Sequence, residues 1–251
     1  MITRQMLLCH LNELYAVQQF QDSCPNGLQV EGCPYIERVA VAVSATLETI
    51  QQAVRHQCQA LIVHHGLFWN RDPYPVTGSK KEKLSLLLKN EISLLAYHLP
   101  MDAHASIGNN WKAALDLGMF DLTPFGCYDK MFIGVRGKRK PESVAQFKKS
   151  LEEYYQHPAH TAFGGRDTVE EIAIISGGAY KMLHEAVGTS IDAFITGSFD
   201  LPAWNEAREG GINFFAMGHH ASERVGPKAL LKHLESTLGI PCVFVEEDNP
   251  F

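Results

Sequence analysis

Residues 38–66 read RVAVAVSATLETIQQAVRHQCQALIVHHG, and this stretch decides the fold class. RVAVAVSA (38–45) is apolar on both faces, as in a strand covered on both sides. TLETIQQAVRHQC (46–58) sets Leu47, Ile50 and Val54 at helical spacing. ALIVHHG (60–66) is apolar again until it meets two imidazoles. Strand, helix and strand in that order imply parallel pairing with the helix packed across the sheet.

Working outward, KKEKLSLLLKNE (80–91) reads as a helix and ISLLAYHLPMD (92–102) as a strand running into a loop. The second part of the chain repeats the order. EIAIISGG (171–178) is a strand, AYKMLHEAVGTSI (179–191) a helix, and DAFITGSF (192–199) and INFFAMGHH (212–220) are strands. Ala60 matches Ala193, and Ala96 matches Ala216. A true internal repeat and the shared rhythm of any two βαβαβ segments both account for this echo. The expected fold is α/β: two similar halves, 1–125 and 126–251, each a mostly parallel sheet flanked by helices. TPFGCYDK (123–130) is the expected connector, and a less regular α/β stretch follows it to about Arg166.

The chain has 251 residues, 45% hydrophobic and 20% charged, enough for a sizeable core. A formal net charge of −6 disfavours a constitutive nucleic-acid binder. The basic clusters KKEK (80–83) and RGKRK (136–140) are short and read as solvated faces rather than a phosphate track. Six cysteines form no CxxC pair. The N-terminal segment reads as an amphipathic helix without a signal-peptide pattern, and no run approaches the ~18 apolar residues of a membrane span. A cytosolic protein with reduced thiols and no membrane partner is expected.

Polar residues gather where strands end, the edge at which parallel α/β sheets bind ligands. His64 and His65 close one strand, His98 and Asp102 follow another, and His219, His220 and Glu223 follow the matching strand of the second half. Imidazoles and carboxylates together are the inventory of a divalent metal site between the halves. Adjacent strand residues point to opposite faces. His64 and His65 therefore either sit where the strand gives way to loop or serve different ions. The second route suits a two-metal site with ions ~3.5–4 Å apart. Asp102 and Glu223 would offset the charge, with Glu223 as the bridge. In GHHASER (218–224), helical spacing would put His219 and Glu223 on one face. His98, His104 and His220 fit as groups that orient the ligands or pass a proton. The plainer alternatives are a chance HH pair, a loop-capping His98 and a surface Glu223. His10, His56, His157, His160, His184 and His233 are read as structural.

Taken together, PNGLQVEG (25–32), IVHHGLFW (62–69), HLPMDAH (98–104), GNN (108–110), AFITGS (193–198) and GHHASER resemble the NIF-three-like family, the GTP cyclohydrolase I type 2 homologues. The resemblance implies a dinuclear metal site on His64, His65, Asp102, His219 and Glu223. It also implies a toroidal homohexamer, a trimer of dimers, with metals facing an internal cavity. Many relatives carry an acid where this chain has Ser198, and longer ones carry an inserted domain for which the connector has no room. Two divalent ions per subunit, zinc, manganese or iron, would activate water for hydrolysis of a nucleotide or related purine or phosphoester. His98, His104 or His220 would donate the proton. SGGAY (176–180) is either a tight turn or a phosphate-holding helix start. The alternative function is a non-catalytic toroidal metal-binding scaffold that engages a protein or nucleic acid.

Overall fold

The structure is a computed structural model describing residues 1–251. Two compact units make up the chain: Met1–Met101 with Pro227–Asp248, and Asp102–Gly226 with Asn249–Phe251. These bounds differ from the continuous halves expected from sequence because the C-terminal helix returns to the first unit.

The first unit opens with β1 (Ile2–Thr3), α1 (Arg4–Leu14), β2 (Gly27–Val30) and β3 (Tyr35–Ile36). Then come β4 (Val39–Ser44), α2 (Leu47–Arg55), β5 (Ala60–His65), α3 (Gly78–Lys89) and β6 (Ser93–Ala96). β4 and β5 pair in parallel from Val39↔Ala60, and β5 pairs with β6 from Ala60↔Ser93 to Val63↔Ala96. Nearly every residue of these strands is buried, as the doubly apolar sequence requires. α2 begins with a capping box in which Thr46 and Thr49 each accept the other's amide. The Thr49 hydroxyl also donates to the Ser44 carbonyl at 2.8 Å, tying the start of the helix to the end of β4.

α4 (Leu99–Ala103) leads into the second unit, which continues through α5 (Asn109–Asp116), β7 (Phe120–Tyr128), β8 (Met131–Ser143) and α6 (Val144–Tyr155). β9 (His160–Phe163), β10 (Thr168–Ile174), β11 (Ala193–Thr196), α7 (Leu201–Gly210), β12 (Asn213–Ala216) and α8 (His219–Ser222) complete it. Its sheet runs β7-β8-β10-β11-β12-β9. The chain returns through α9 (Val225–Leu238) to β13 (Cys242–Phe244), which pairs in parallel with β4 and completes the order β13-β4-β5-β6-β2.

The echo between the units is structural. Each sheet holds a parallel trio, β4-β5-β6 or β10-β11-β12, and each trio is edged by an antiparallel strand that precedes it in the chain. That strand meets the matching alanine in both cases: Gly27↔Ala96 and His160↔Ala216. The units differ on the other flank, where β8 pairs antiparallel with β10 but β13 runs parallel to β4. Three sequence expectations change, the first being the loop expected up to Asp102, which is the helix α4. Residues 123–130 are no loose connector but the end of β7 and the turn into β8, where Asp129 and Lys130 both take positive φ, as tight hairpins require. Residues 179–191 hold a 3-10 segment, Ala179–Glu185, rather than an α-helix, and Gly188 then turns the chain at φ 75°. No helix is long and apolar enough to cross a membrane.

Candidate metal centre

In the first unit three imidazoles meet at the carboxyl end of β5 and just beyond that of β6. The ligand-capable atoms of His64, His65 and His98 all lie within 4.8 Å of one another. The rings of His64 and His65 do not splay to opposite faces, since their centroids are 4.6 Å apart. The reason is lateral anchoring at the strand's end. His64 Nδ1 donates to the Tyr97 carbonyl at 3.2 Å, on the β6 side. His65 Nδ1 bonds the Ser44 hydroxyl at 3.1 Å, on the β4 side. A carbonyl can only accept, so the proton of a neutral His64 sits on Nδ1 and its lone pair on Nε2.

Sequence reasoning missed the partner of His98. Asp22, whose side chain is 2% exposed, accepts from His98 Nδ1 at 2.9 Å. It also accepts from the amides of Cys24 and Leu99 and from the Asn26 side chain. Burial alone would raise its pKa, but the His98 hydrogen bond and charge, with Asn26 and the Cys24 amide, bring it down to about 2. Asn26 further accepts the His98 amide at 2.7 Å. The only sequence signal was the polar DSCPN run before the strand.

In the second unit Asp102 is buried and its Oδ1 accepts from Asn109 Nδ2 at 2.8 Å and from Ser176 Oγ at 3.0 Å. His219 Nε2 lies 3.2 Å from Glu223 Oε1, the i,i+4 pair that the helical reading of GHHASER requires. Gly177, at φ 66°, passes so close that a Cβ there would meet Glu223 Oε1 at 2.1 Å. Ser176 and Gly177, consecutive in the chain, thus support Asp102 and abut Glu223, which gives SGGAY a role as a tight turn. Ser198 Oγ bonds His219 Nδ1 at 3.1 Å. His220 is buried in α8. The ring of His104 accepts the amides of Ser106 and Ile107 through Nδ1, so it organises its own loop.

This donor set fits divalent cations. Imidazole nitrogens and carboxylate oxygens suit zinc, manganese or iron. Asp102 and Glu223 are only 6% and 3% exposed, so both carboxyl groups are held out of bulk solvent.

The Duf34/NIF3 (NGG1p interacting factor 3) family matches residues 2–250, and the chain belongs to it. A protein of Chlamydia pneumoniae named GTP cyclohydrolase 1 type 2 homolog is 49% identical over 98% of both chains. A protein of the same name from Vibrio cholerae is 36% identical over 96% of both. The crystal structure of TTHA1606 from Thermus thermophilus superposes with a TM-score of 0.92 over the whole of both chains at 34% identity.

Proposed function

We propose that this protein is a dinuclear, divalent-metal-dependent hydrolase acting on a nucleotide or a related purine or phosphoester. One observation carries the reading: three imidazoles converge at a strand end, each with Nδ1 engaged by a neighbouring group. His64, His65, Asp102, His219 and Glu223 would hold the two ions. When bound, such ions supply Lewis acidity and lower the pKa of water toward neutrality.

The remaining chemistry belongs to the chain. Asp22 fixes the ring and tautomer of His98, so Nε2 is the atom at which a proton is held or delivered to a leaving group. His220, buried in α8, and His104, whose Nδ1 accepts from its own loop, are the other imidazoles assigned to this task. The name shared by the relatives supports a purine nucleotide as substrate, with hydrolysis of a ring C–N bond. The family resemblance supports a toroidal homohexamer, a trimer of dimers.

Metal analysis of the purified protein, followed by a screen of nucleotides and phosphoesters with and without chelator, tests the proposal. Near-stoichiometric metal, about two per chain as this site type requires, and chelator-sensitive turnover are expected. Turnover that ignores the chelator, or none with any metal, overturns the hydrolase in favour of a scaffold.

A further inference from the structure

A cleft of about 510 Å³ opens in the first unit, bordered by Gly66, Leu67, Trp69, Asp72, Lys80 and Lys83. Its volume falls within the ~300–1,000 Å³ of small-molecule sites. Gly66 and Leu67 directly follow His65. The Trp69 ring stands edge-on to the His98 ring at 5.1 Å and tilted to that of His65 at 6.0 Å. The cleft therefore begins where the imidazole cluster ends, and Trp69 is the wall they share.

The KKEK run reads differently in this setting. Lys80 and Lys83 are half-buried, while Lys81 and Glu82 between them are exposed. Residues three apart share a helix face, and that face is turned to the cleft. Lys80 Nζ is also held in place, donating to the Pro73 carbonyl at 3.2 Å and lying 5.2 Å over the Phe68 ring. Two ammonium groups face one lining carboxylate, Asp72, and the hydroxyl-bearing residues Thr77 and Ser79 complete the polar side.

We infer that this cleft takes the phosphate groups of a phosphorylated small-molecule substrate, with Lys80 and Lys83 as its anion contacts. Lysine binds phosphate as a compact point charge, and an indole beside it packs against a flat ring. The inference rests on the hydrolase reading for the substrate's direction, with phosphates toward α3 and the reacting part toward the imidazoles.

Calorimetric titration of the purified protein, with and without prior chelation, tests it using GTP, inorganic pyrophosphate and guanosine as probes. GTP and pyrophosphate are expected to bind, and guanosine much more weakly than GTP. Combining Lys80→Gln with Lys83→Gln, which keeps most of each side-chain stem, should weaken GTP and pyrophosphate about tenfold or more, as losing charge-assisted hydrogen bonds does. Lys81→Gln should change neither. Failure of the wild type to bind GTP or pyrophosphate overturns the inference. So does unaltered binding in the double variant, or an equal loss in Lys81→Gln. Lysine-dependent binding without turnover at any metal loading would sink the hydrolase and leave the cleft standing. Turnover whose KM ignores the lysines would do the reverse.

Discussion

Ser198 Oγ lies 3.1 Å from His219 Nδ1, the same separation as between Ser44 Oγ and His65 Nδ1. In each unit a serine at or just beyond the end of one strand steadies a histidine beyond or at the end of the next. Ser44 closes β4 and pairs in register with His65. The hydroxyl holds the ring without adding a charge. Groups that orient a ligating histidine typically govern metal affinity by ~10–100-fold. Ser198→Ala should weaken metal retention by that order, read by competition against a graded series of chelators. Unchanged retention would mean that the serine does not position the ring.

Gly177 has a sharper requirement. Its φ of 66° disfavours a side chain, and a Cβ would press on Glu223 Oε1. Gly177→Ala should lower stability by about 1–3 kcal/mol through backbone strain and reduce bound metal by displacing Glu223. Thermal unfolding and metal content measure the two effects. A variant with wild-type melting and full metal would show that the loop relaxes.

Much of this was legible because the governing interactions are local or periodic. The doubly apolar runs 38–45 and 60–63 announce covered strands, and the i,i+4 spacing of His219 and Glu223 needs only a helical turn. Asp22 was illegible because its partner lies at His98, far along the chain, and no pattern in a loop encodes that meeting. The β7–β8 hairpin hid for another reason. Asp129-Lys130 adopts the double positive-φ turn without the glycine that usually marks it. The half-buried face of KKEK depends on the cleft beside it, so the charge run looked like ordinary solvated surface.

Five of the six thiols should separate into two groups. Burial pushes Cys24 and Cys58 up to about 11 and Cys242 up to about 12, which suppresses the reactive thiolate. Cys9 and Cys127 are exposed. Iodoacetamide at mildly alkaline pH should modify Cys9 and Cys127 first, as followed by peptide mass spectrometry. Early labelling of Cys24 in the native protein would mean that the loop over it opens.

Asp22 gives the stability of the protein a definite acid limb. Its folded pKa, about 2, lies below its ordinary value of 3.8, because contacts to His98, Asn26 and the Cys24 amide outweigh the opposing effect of burial. A depressed carboxylate stabilises the fold fully above its unfolded pKa, and that contribution fades as pH falls toward the folded one. The metal-free wild type should therefore lose stability between about pH 4 and pH 2 more steeply than Asp22→Asn. The asparagine variant should also be less stable at neutral pH, where it lacks the ionised partner of His98. Denaturant titrations across this range, on both proteins after chelation, read the difference directly. Parallel stability curves for the two would mean that the Asp22–His98 contact contributes nothing to folding, and the tautomer argument for His98 would lose its anchor.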